Sequence, residues 1–150
     1  MDSMAVANIK TQKKSQFAWR NDFWHHMISR HPIEEDYAKA TANSSRWRTV
    51  PRHRIVIAQY IAENGVGVFI RGERGQNSAD LQQRLSPYTS TLKKALGPGL
   101  LNENEPEAFF HSRKHFNALD ENNWDKMADW LHKKADKYQV AIQRVMGGMA

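Results

Sequence analysis

Hydrophobic residues recur at three- and four-residue intervals near both ends of the chain and alternate or run together in the middle. Near the start, Phe17, Phe23, Trp24, Met27 and Ile28 follow the helical period. Phe23 and Met27, and Trp24 and Ile28, are spaced to meet on one helical face. The spacing predicts a helix from Ser15 to Ser29, ended at His31-Pro32 because the residue before a proline is pushed out of the α region. Near the end, Trp124, Met127, Ala128, Leu131, Ala135, Tyr138, Ile142 and Val145 keep the same rhythm and predict a long helix from Glu121 to Met146. Its expected core stripe is Trp124, Ala128, Leu131, Ala135, Tyr138 and Ile142. Lys133, Lys134, Asp136 and Lys137 are expected as a solvated face, and Gly147-Gly148 closes the helix.

Between these helices the period shortens to two. Arg46 to Val50 alternates as a half-exposed strand does, and Pro51 interrupts it at a turn or an edge. Arg54 to Glu63 is rich in β-branched and aromatic residues, and Val66 to Arg71 returns in the same style. Asn64-Gly65 between them is a hairpin signal, since both central positions of a type I′ turn need positive φ. Both strands are apolar on both faces, which places them centrally in a sheet. Ile33 to Ser45 is polar and ambiguous in pattern, with room for a short helical turn at Glu34 to Ala40 and then a loop through Asn43-Ser44-Ser45.

After the hairpin, Ser78 is expected to cap a helix marked by Leu81, Leu85, Leu92 and Leu96. Pro87 kinks or divides it, and Gly97-Pro98-Gly99 ends it. Leu100 to Pro106 reads as a strand end and acidic loop, and Ala108 to Lys114 as a further strand. This order predicts an α+β fold. The expected architecture is a two-layer sandwich, with a mainly antiparallel sheet of three to five strands and N-terminal, middle and long C-terminal helices. One domain is expected over residues 15–146, with a disordered tail over 1–14 and a short tail over 147–150.

Composition narrows the functional classes. The 150 residues are 40% hydrophobic and include five Trp, six Phe and four Tyr, enough to bury a core in one domain. There is no cysteine, which excludes disulfides, thiolate metal sites and a cysteine nucleophile. No stretch reaches the ~18–20 apolar residues that span a bilayer. Met1 to Gln16 is polar and lacks the apolar middle of a signal peptide, so the expected location is the cytoplasm, with no membrane partner. Lys and Arg number 22 against 16 Asp and Glu, a net charge of +6 that favours an anionic partner such as DNA or RNA.

Motifs for catalysis are missing. His25 and His26 are adjacent and would point about 100° apart on a helix. His111 and His115 have zinc-pair spacing only for a helix, and they fall in an expected strand with no accompanying carboxylate. No metal site and no cofactor is expected. A metal-dependent nuclease needs clustered carboxylates beside a lysine, and no strand carries them. Asp120, Glu121, Asp125 and Asp129 gather where the dipole at a helix start favours acids. Gly65-Val66-Gly67 and Gly72-Glu73-Arg74-Gly75 lack the spacing and lysine of phosphate-binding loops.

The basic residues around the strands are the candidate nucleic-acid-binding set: Arg46, Arg48, Arg52, Arg54, Arg71 and Arg74, extended by Arg113 and Lys114. Arg46 and Arg48 share a strand face. Trp47 between them is expected to face the core, leaving the arginines on the solvent side; the alternative is an outward Trp47 stacking on a base.

Four stretches together carry a resemblance: Phe17 to Trp24, the hairpin Ile55 to Ile70, the helix Asp80 to Gly97, and Trp124 to Trp130. They resemble an uncharacterised bacterial and archaeal family, a domain of unknown function often fused behind a restriction-endonuclease-like domain or encoded alone. The likeness covers Gln16 to Met146, with Ser44-Ser45 where the family has a small glycine. It implies no catalytic residue and an association with nucleic-acid or defence systems. Two functions are therefore expected ahead of a third, an enzyme whose site no motif marks. One is a non-catalytic, nucleic-acid-binding accessory domain working with a nuclease-type partner. The other is a protein-interaction module or homodimer anchored by its aromatic and methionine side chains.

Overall fold

Residues 18–38, 44–96 and 109–147 are described by the computed structural model. Their strands form one four-stranded antiparallel sheet in the order β1 (Ser45–Val50), β2 (Ile55–Ala62), β3 (Gly65–Gly72), β4 (Phe109–His115). Side chains alternate across each strand. Arg46, Arg48 and Val50 thus share one face with Ile55, Ile57, Gln59 and Ile61 of β2 and Val66, Val68 and Ile70 of β3. Trp47, Ala58, Tyr60, Phe69 and Arg71 project from the other face.

The hairpin between β2 and β3 forms where Asn64-Gly65 marks it, but by a different turn. Ala62 pairs with Gly65, so the two loop residues are Glu63 and Asn64, and neither has positive φ. Gly65 already belongs to β3. A Cβ there would sit 2.5 Å from the backbone oxygen of Lys114, so the glycine serves the close approach of β4 rather than the turn.

Five helices accompany the sheet: α1 (residues 18–30), α2 (Glu34–Tyr37), α3 (Ser78–Leu85), α4 (Thr89–Leu96) and α5 (Trp124–Met146). His31-Pro32 ends α1 as the sequence predicts. The cap of α3 is Asn77, whose side chain accepts from the Ala79 amide at 2.9 Å, and not Ser78. Pro87 divides the middle helix, lying in a 3-10 turn over Ser86–Tyr88 between α3 and α4. A second 3-10 turn over Glu121–Asn123 leads into α5, which ends at Gly147 in the left-handed region, φ 74°. The expected tail over 1–14, the helix stop at Gly97-Pro98-Gly99 and the acidic loop at Leu100 to Pro106 lie outside the described residues.

One hydrophobic cluster joins these elements into a two-layer α+β sandwich. Phe23, Trp24 and Met27 of α1, Leu81 and Leu85 of α3, Leu92 and Leu96 of α4, and the expected stripe of α5 all bury against the Ile57 face of the sheet. Phe23 meets Trp124 edge to face, ring centres 5.7 Å apart. A bulge opposite Val68 and Ile70 lets the consecutive Phe109 and Phe110 both enter the core. No helix among the described residues is long and apolar enough to cross a membrane.

Tyr138 locks α5 to β4. Its hydroxyl lies 2.7 Å from Ser112 Oγ and donates to the carbonyl of Phe110. Burial pushes the phenol up to about 12, with the Ser112 hydrogen bond opposing the shift. Tyr138→Phe leaves two buried polar groups without this partner and is expected to lower unfolding free energy by about 1–3 kcal/mol in urea titrations at neutral pH. The folded phenol titrates above the unfolded one, so its contribution is complete below about pH 10 and lost as pH rises toward 12. The wild type should lose stability across that interval more steeply than the phenylalanine variant.

Candidate nucleic-acid interface

The orientation of β1 decides which arginines reach solvent. Arg46 and Arg48 are 3% and 1% exposed, and both point toward the helices. Glu34 of α2, also 1% exposed, waits between them. Its Oε1 accepts from Arg48 Nη2 at 2.7 Å and lies 2.7 Å from His132 Nδ1 of α5. Arg46 Nη1 reaches Glu34 Oε2 at 3.5 Å, and its Nη2 donates to the Glu34 carbonyl at 2.8 Å and to the Ala38 carbonyl. Arg48 Nη1 continues to Asp136 at 2.7 Å and Gln139 at 3.0 Å, while its guanidinium stacks 3.8 Å from the Tyr37 ring centre. Burial lowers the Arg46 pKa from its ordinary value, a shift that Glu34 opposes.

This arrangement corrects two expectations. Arg46 and Arg48 do not dress the solvent face and leave the candidate set, and Trp47 does not face the core. Period-two alternation puts the arginines opposite Trp47 but assigns neither to the inside. The buried carboxylate of Glu34 makes that choice, because it needs cations around it.

The acids at the start of α5 do more than complement the helix dipole. Asp129 accepts from Arg30 Nε at 2.7 Å and Nη2 at 2.9 Å, and lies 2.7 Å from His31 Nε2. The Arg30 hydrogen bond holds its carboxyl well below the usual carboxylate range, with His31 adding to the effect. Asp125 lies 2.7 Å from His26 Nε2. His31 and His132 stack at 4.2 Å with 14° between their planes. Among the described residues, no three His, Asp or Glu side chains are grouped to hold a metal ion.

The outward face of the sheet collects the remaining candidates. Trp47, Ala58 and Phe69 stand in one row across β1, β2 and β3. The Arg71 guanidinium lies 4.0 Å from the Trp47 ring centre, and that of Arg74 lies 5.7 Å away. Beside this row Tyr60 leans over Gly67, where a Cβ would come within 2.2 Å of the phenol ring. Tyr60 Oη is 2.5 Å from His111 Nε2, and Phe69 meets the His111 ring at 6.0 Å. Trp47, Tyr60, Phe69, Arg71 and His111 are all half-buried, and Arg74 and Arg113 are exposed.

Arg113 pairs across from Gly67, four residues from Arg71 and so about 13 Å along the strand direction. Arg52 and Arg54 are exposed in the β1–β2 turn, at the Arg71 end of the sheet. Arg54 lies 3.5 Å from Glu73, an exposed pair of little energetic weight. Lys114 alternates away from this face and sits 5.5 Å from the Phe116 ring. Of the eight candidates, the structure therefore brings Arg71 and Arg74 together on Trp47, with Arg52 and Arg54 at the same end. Arg113 shares the face at a distance. Tyr60, Phe69 and His111 are additions that single-strand patterns do not mark; only the register between strands shows that they share a face with Trp47.

Aromatic planes interleaved with guanidinium groups can stack bases and neutralise phosphates in one place. The layer beneath depends on Glu34. Glu34→Ala strands Arg46 and Arg48 without their buried carboxylate and is expected to destabilise the fold by about 3–5 kcal/mol. Asp136→Asn, at the more exposed end of the same network, is expected to change stability by under about 1 kcal/mol. Urea midpoints for the two variants check the ranking. Comparison of the chain with protein-family models, curated proteins and solved structures finds no match, so the functional reading stands on this geometry.

Proposed function

We propose that this chain is a non-catalytic accessory domain that binds single-stranded nucleic acid on the outward face of its sheet. The observation that carries the reading is Trp47, half-exposed in the sheet, with Arg71 and Arg74 gathered on its ring. Bases stack on such indoles whatever their identity, because every base has a π-face. Arginines placed at the ring reach the phosphates on either side. Phe69 and the Tyr60–His111 pair extend the aromatic surface along the strands, and Arg113 gives the strand a further cationic stop. Such a surface reads no base edges, so the binding is sequence-tolerant. Work beside a nuclease or within a defence system is the biological setting that the family resemblance supports. Interaction with a protein partner is the alternative. Large hydrophobic side chains left exposed among the described residues are Ile33, Leu119 and Val140, on three separate segments.

Fluorescence anisotropy with labelled single strands, DNA and RNA in parallel, tests the reading. Losing one stacked base is worth about 1–3 kcal/mol, so Trp47→Ala should raise Kd by roughly 5- to 150-fold. Replacing Arg71 and Arg74 with alanine should flatten the dependence of log K on log salt by about 1.4, at ~0.7 per lost phosphate contact. An absence of binding at low salt, or a Trp47→Ala variant that binds as the wild type does, overturns the proposal.

A further inference from the structure

α5 sorts its side chains by charge around its axis. With 3.6 residues per turn, Asp125, Asp129, His132 and Asp136 fall along one line, and each is tied to α1, α2 or β1. Asp125 meets His26, Asp129 meets Arg30 and His31, His132 meets Glu34, and Asp136 meets Arg48. The line beside it, turned away from the sheet, carries Lys126, Trp130, Lys133, Lys137, Val140 and Arg144 at spacings of three or four residues. Trp130 is half-buried and the other five are exposed, Val140 to 40%. Lys134 leans onto this stripe, its Nζ 5.8 Å from the Trp130 ring centre. Asp136 borders the stripe in a groove with Lys137, Val140 and Arg144 but is paired with Arg48 and His132, and none of the stripe's cations is in an ion pair among the described residues. Burial, and to a lesser extent the neighbouring charge of Lys137, lower the pKa of Lys134.

We propose that this stripe is a second nucleic-acid surface, which holds the phosphate backbone of a duplex. The proposal rests on the reading of the chain as a nucleic-acid binder but is carried by different residues. The stripe runs along one uninterrupted helix and is about 27 Å long at 1.5 Å per residue. That matches roughly eight base pairs at ~3.4 Å each. A duplex is the polyanion whose charge is dense enough to engage a row of separated ammonium groups, with one phosphate charge per ~1.7 Å of axis. Lysines are point charges without base-reading geometry, so the contact is to backbone and independent of sequence. A single strand would seek a row of stacking partners, and the stripe offers one ring, the half-buried Trp130, against the several rings of the sheet face. The sheet face and the α5 stripe lie on opposite sides of the two layers. One domain is thereby able to grip a duplex on its helical side and an unpaired strand on its sheet side.

The test is anisotropy with a labelled blunt duplex and a labelled single strand, using the full chain between 50 and 200 mM salt, a range over which roughly five phosphate contacts give a slope of about −4.5. The charge reversal Lys133→Glu/Lys137→Glu/Arg144→Glu should weaken duplex binding by about 100-fold or more and single-strand binding by less than about 2-fold. Trp47→Ala should weaken single-strand binding by roughly 5- to 150-fold and duplex binding by less than about 2-fold. All three reversed residues are exposed, and circular dichroism verifies that the variant stays folded. If the wild type ignores duplex at low salt, or the reversal leaves duplex affinity intact, the stripe is not a duplex surface. Equal loss of duplex binding in Trp47→Ala also overturns it, since one surface would then serve both ligands. Tighter capture of phosphatidylserine vesicles than of duplex would reassign the stripe to a membrane and end the proposal. Duplex binding that is lost on reversal while no single strand binds supports the stripe and refutes the sheet face alone.

Discussion

The carboxylate of Glu34 is the constraint on which the rest of the structure depends. It sits out of water among two guanidinium groups, an imidazole and the Gln59 amide, and joins α2, β1, β2 and α5 at one point. Burying charges costs several kcal/mol per ion, so such a network adds little net stability even when well satisfied. Here it is not fully satisfied, as the Nε atoms of Arg46 and Arg48 have no hydrogen-bond partner. Its effect is on register. A slip of β1 by one residue would turn Trp47 against Glu34 and carry both arginines into solvent, leaving an anion buried alone. The network thus excludes the alternative pairing and, by doing so, holds Trp47 outward.

The same logic explains which features were legible in the sequence. Periodicity located both terminal helices, all four strands and the break at Pro87, since each depends on local spacing and local sterics. It did not supply the facing of β1, because Arg-Trp-Arg is equally alternating either way up. The residue that settles it, Glu34, lies in a polar stretch whose pattern has no period. The β2–β3 turn shows a milder version of the same limit. Asn64-Gly65 identified a hairpin correctly, yet the demands of β4 on Gly65 moved the turn back by one residue. The aromatic face required two registers to be known before Trp47 and Phe69 could be seen as neighbours.

Charge is distributed by a related principle. The net +6 reflects an excess of cations, but the acids are spent unevenly. Glu34, Asp125, Asp129 and Asp136 are directed toward seams between elements, where they pair with arginines and histidines of other segments. The seams therefore approach neutrality while the outer surfaces of α5 and of the sheet keep their cations. Lys126, Lys133, Lys137 and Arg144 on α5, and Arg71 and Arg74 beside Trp47, are in no ion pair among the described residues.

The missing side chain at Gly67 has a consequence for the order of the outward sheet face. With only hydrogen on that Cα, the phenol of Tyr60 settles flat against the strand and meets His111. A ring seated in this way has few rotamers left to lose. Its ordering entropy was surrendered when the chain folded, so contact with such a ring is penalised less than contact with a freely turning side chain. How closely the Tyr60 phenol lies on β3 is in this sense set by one absent methyl group.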